Sequence, residues 1–187
     1  MTPGILPPLT TALATCLAIV TTRGSPEDLP YSRGLFHISV ATAILVGLLN
    51  RWILPDVTVA HAVINTAGEY AILLYGLHLL LGIREMLARF VKVATAILLI
   101  STMGGATLFL LRWFGSPVTS IIVATVFIAQ LSGALTCLRR GMDVHWLIAG
   151  FYLFAYLWIA MLFFRMTASM MDGPTAGGGA RYAFGVV

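Results

Sequence analysis

Residues 57–83 form an apolar run long enough to cross a bilayer, and His61, Asn65 and Glu69 lie inside it. A carboxyl group near the bilayer centre is costly unless it is neutral, hydrogen-bonded or facing water, so an acid at that depth demands a partner. The four-residue spacing puts His61, Asn65 and Glu69 on one helical face, with Thr58, Ile72 and Gly76 beside them. The opposite face reads Val63, Tyr70, Leu74, Leu77 and Leu81 and is expected to meet lipid, leaving the polar face for protein.

Four further apolar runs of similar length surround this one. They predict an all-α polytopic bundle with spans at 35–54, 57–83, 90–111, 118–138 and 144–164 within a bundle covering 35–166. Hydrophobic residues make up 59% of the 187 residues and charged residues 10%, which leaves no room for a separate water-soluble domain. Residues 1–22 read as an interfacial helix or a short sixth span, because the apolar stretch after Pro7 and Pro8 is only about a dozen residues. Its expected apolar side is Leu9, Leu13, Cys16, Leu17 and Val20. Leu13 to Cys16 weakly resembles a lipoprotein cleavage box, against which stand Thr15 and the lack of basic residues ahead of Arg23. Residues 23–34 are a polar loop rich in Gly and Pro, and 167–187 form a Gly-rich tail.

Orientation follows from the short loops. Arg23, Arg33, Arg84, Arg89, Lys92, Arg139 and Arg140 share one side, whereas Arg51, Arg112, Arg165 and Arg181 share the other. The first group is expected in the cytoplasm, with the carboxy terminus outside. The net charge of +4 is ordinary for such loops, and no run of Lys and Arg suits nucleic acid.

Small residues recur where helices can approach closely: Ser39, Ala43 and Gly47 in the first span, Gly104 and Gly105 in the third, and Ala129 and Gly133 in the fourth. Shifting the chain by 61 residues lays Arg51 on Arg112, Trp52 on Trp113 and Glu69 on Gln130, which suggests a duplicated hairpin. With or without a duplication, Glu69 and Gln130 each lie about 18 Å of helix past an outer turn, so both sit near the midplane. We therefore expect Glu69 to pair with Gln130.

Chemistry beyond this is sparse. Cys16 and Cys137 have no metal or disulfide spacing, and Asp143 and the other loop acids have no evident partner. No nucleophile elbow, phosphate-binding loop or metalloprotease motif occurs, and the chain reads as non-enzymatic. His37, His78 and His145 fall near the cytoplasmic ends of three spans, where a pair of them is a candidate for ligating haem b. The expected function is an accessory or scaffold subunit that packs in the lipid bilayer against other membrane proteins or against itself. The alternatives are translocation of protons or small solutes centred on Glu69, and haem-based electron transfer.

Overall fold

The computed structural model of the chain describes residues 6–52, 57–111 and 118–171. The expected turn at Pro55 and Asp56, the stop at Arg112 to Pro117 and most of the Gly-rich tail lie outside the described residues, as does half of the suggested repeat. Among the described residues six helices follow one another: α1 (Leu6–Val20), α2 (Arg33–Trp52), α3 (Val59–Ile83), α4 (Phe90–Leu111), α5 (Val118–Gly141) and α6 (Trp146–Met171). Single 3-10 turns at Pro26–Asp28 and Leu87–Arg89 interrupt two connections. Five helices, α2 to α6, are long and apolar enough to cross a membrane, so the chain is an all-α, multi-pass membrane bundle.

The bundle is built around α4. Half of its span is buried, against less than a quarter in each of the others. The cause is the uninterrupted stretch Val93 to Ile100, apolar apart from Thr95, whose residues are all buried; a helix that is apolar all round has to be enclosed. Thr95 satisfies its hydroxyl by donating to the Val91 carbonyl at 2.6 Å. Helix α4 packs chiefly against α2 and α5, with α1 and α3 touching it as well, while α6 closes the ring between α3 and α5.

Helix α1 has 15 residues, about 22 Å of rise, which is short of a hydrocarbon core of about 30 Å. It packs along α5 and α4 and buries Ala12, Cys16 and Ile19 completely. The expected apolar side is thereby rotated: the i, i+4, i+7 row of Ala12, Cys16 and Ile19 turns inward, and Leu17 is more than half exposed. Burial pushes the Cys16 thiol up to about 11, so it behaves as a small hydrophobe.

Three helix ends meet at the basic end of the bundle, and all three stop in the same way. Thr22, Glu85 and Asp143 adopt left-handed φ values of 63°, 57° and 50°. In each case the next residue's N–H reaches back five positions: Arg23 to Ala18, Met86 to Leu81, and Val144 to Arg139. This is the cap that glycine normally supplies, built here on residues carrying a Cβ. The loops are then tied together. Arg89 pairs with Glu27 at 2.9 Å and with Asp143 at 3.1 Å, Lys92 donates to the Glu27 carbonyl, and Arg140 donates to the carbonyls of Thr22 and Gly24. The expectation that the loop acids lack partners is thus corrected: the partners come from loops far apart in sequence, which the fold alone brings together.

Candidate functional site

Arg51 lies in the last turn of α2, yet its guanidinium is drawn back into the bundle. Side chains on a helix slant towards its amino terminus, and Gly47, one turn earlier, leaves the space that the group fills. A Cβ at Gly47 would stand 3.5 Å from Arg51 Nη1, 3.0 Å from Thr66 Cγ2 and 3.3 Å from the Tyr70 ring. From this position Nη1 donates to Thr66 Oγ1 at 2.8 Å, and Nη2 donates to Glu69 Oε2 in an ion pair. The guanidinium carbon stands 5.5 Å from the centroid of the Phe164 ring, a cation–π contact from α6.

Glu69 is within one turn of the middle of α3, so the carboxylate does find a partner near the midplane, but not the expected one. Gln130 instead donates to the Ser101 carbonyl of α4 at 3.2 Å, its amide seated over Gly104. The physical reason is the helix order: the main neighbours of α3 are α2 and α6, while α5 packs on α4, α1 and α6. The assignment of faces on α3 is corrected as well. Tyr70, Leu77 and Leu81 point into the core rather than at lipid, and Glu69 lies on the flank with its side chain 31% exposed, beside an Arg51 side chain 21% exposed.

The other members of the expected polar row have separate partners. Asn65 Oδ1 accepts from Thr167 Oγ1 of α6 at 2.8 Å. The His61 ring remains in its own helix cap, with Nδ1 3.1 Å from Thr58 Oγ1, while that oxygen also accepts the His61 N–H. Three successive turns of α3 therefore bond to three different elements: its own cap, α6 and α2. Tyr70 and Tyr156 lie within electrostatic reach of the ion pair and complete its surroundings.

The small residues fall at the helix contacts. Ser39 and Ala43 are fully buried, Gly105 meets Val46 and Asn50, and Gly133 meets Ile100 and Val20; Ala129 is half-buried. Asn50 Nδ2 donates across to the Gly105 carbonyl at 2.9 Å. His37 and His78 flank an edge-on pair of rings, Phe36 and Phe90, whereas His145 stands beside Trp146 and accepts the Leu147 N–H at the start of α6. Among the described residues no three His, Cys, Asp or Glu side chains form a metal-binding group.

Sequence reasoning missed Arg51, Phe164 and Thr167. For Arg51 a signal was present: the slant of helical side chains towards the amino terminus lets an arginine one turn before the end of a span reach back along it, and an acid follows in the next span. Thr167 lay beyond the expected end of the last span, but α6 continues to Met171. Chemically, the arrangement joins α2, α3 and α6 through an ion pair, two hydroxyls and an aromatic face. No buried side-chain nitrogen or oxygen among the described residues lacks a hydrogen-bond partner. No protein-family model matches the chain, and neither a curated protein nor a solved structure matches it.

Proposed function

We propose that this chain is an integral membrane accessory or scaffold subunit, with its basic end in the cytoplasm and its carboxy terminus outside. The observation that supports this reading is the use of the polar groups within its spans. Arg51, Glu69, Asn65, Gln130 and Asn50 each bond to a neighbouring helix, so they hold the bundle's shape rather than stand ready for a substrate. The outward faces are apolar, most of all on α6, where Phe151, Phe154 and Trp158 are more than half exposed. Trp158 lies at mid-span, whereas tryptophan favours the two interfaces, which supports α6 as the side offered to another membrane protein or a second copy.

The test is photo-crosslinking from Phe154 in native membranes, paired with proton flux into vesicles containing the purified protein. The proposal expects a discrete protein adduct and no flux that depends on Glu69. Lipid adducts alone would defeat the scaffold reading, and a proton flux abolished by Glu69→Gln would establish translocation in its place.

A further inference from the structure

At the basic end, α2 and α3 are separated by an aromatic wedge. Phe90, the first residue of α4, contacts both Phe36 of α2 and His78 of α3, with ring centroids 6.1 Å and 5.3 Å away, and the His37 ring lies 5.6 Å from that of Phe36. Gly47 lies opposite Thr66 and Tyr70, and α2 and α3 run antiparallel with equal rise. Counting back from that crossing brings His37 level with His78, and Arg33 level with the last turn of α3, next to Arg84. All four basic side chains are exposed, and none has a hydrogen bond or ion pair among the described residues. Arg89, Lys92 and Arg140 at the same end differ in this respect, since they are engaged by the loops. Glu85 is the acid nearest in sequence, exposed in the turn beyond Arg84.

We infer that the seam between α2 and α3 binds an anionic phospholipid in the leaflet at the basic end. Its phosphate would lie between Arg33 and Arg84, with the aromatic row at its side. Charge complementarity supports this occupant: two exposed arginines with no hydrogen-bond or ion-pair partner among the described residues, beside a row of aromatic rings at the basic end of the bundle, fit an amphiphile with an acidic head. A zwitterionic lipid carries its own cation and would be held less well.

The experiment is native mass spectrometry of the detergent-purified full chain, titrated with phosphatidylglycerol and with phosphatidylcholine of the same acyl chains. The wild type should retain phosphatidylglycerol selectively. The Arg33→Gln/Arg84→Gln variant should lose about tenfold or more in apparent affinity, and Arg23→Gln/Arg139→Gln, which removes equally exposed charges from the α1 and α5 side, should lose little. Helical content and monodispersity by light scattering establish that each variant is folded. Equal retention of the two lipids, equal losses in the two variants, or displacement of the lipid by millimolar inorganic phosphate would overturn the site.

Discussion

Arg51 shows how far one side chain can reorganise a membrane bundle. At the end of a span an arginine ordinarily extends to the interface, where its charge is hydrated. Here the glycine at position 47 and the acid at position 69 make the inward rotamer favourable, and Thr66 and Phe164 complete its contacts. Neighbouring polar groups follow the same logic, so removing one partner should strand the other. Thr167→Val leaves the Asn65 amide facing hydrocarbon and should cost about 1–2 kcal/mol in an unfolding measurement in bicelles, with the larger loss confined to the α3–α6 contact. In the opposite direction, Glu85 carries a left-handed backbone that only glycine adopts without strain. Glu85→Gly should therefore stabilise the chain by about 1 kcal/mol, visible as a raised Tm.

At the scale of the helix, the spans themselves were legible, because runs of about 20 apolar residues bounded by Arg, Pro and Gly leave few alternatives. The observed α3 and α4 follow the expected 57–83 and 90–111 closely. Which face of each helix turns inward was not legible. On α3 the polar row and the Tyr70 to Leu81 row compete, and the larger apolar row wins the core because α4 offers Leu98 and its neighbours to pack against. Pairing across helices was equally hidden, since Gln130 and Arg51 were both within reach of the membrane interior and only the helix order decides between them. Close contacts give the sharpest test at this scale. A Cβ on Gly68 would stand 2.2 Å from the Phe163 ring, so Gly68→Ala should push α3 and α6 apart and cost about 1–3 kcal/mol. Gly76, on the same helix, has nothing within 4 Å of that position, and Gly76→Ala should be neutral or stabilising by up to about 1 kcal/mol. A Tm comparison of the two variants distinguishes packing from propensity.

For the whole molecule, two sets of bonds fix the arrangement: the loop fasteners at the basic end and the ion pair towards the other. Arg89 joins the α1–α2 loop to the α5–α6 turn, so Arg89→Ala should speed hydrogen exchange in residues 21–32 and 142–145 together while leaving α4 protected, at a cost of about 1 kcal/mol because these pairs are partly hydrated. The ion pair carries the central claim that mid-membrane charge in this chain fastens helices. A double-mutant cycle of Arg51→Met and Glu69→Leu, read as unfolding free energy in a bilayer mimic, tests it directly. Each single change should cost about 3 kcal/mol by stranding a charge in hydrocarbon, while the double variant should return to within about 1 kcal/mol of the wild type. Additive losses, with the double variant as unstable as the sum of the singles, would contradict the account.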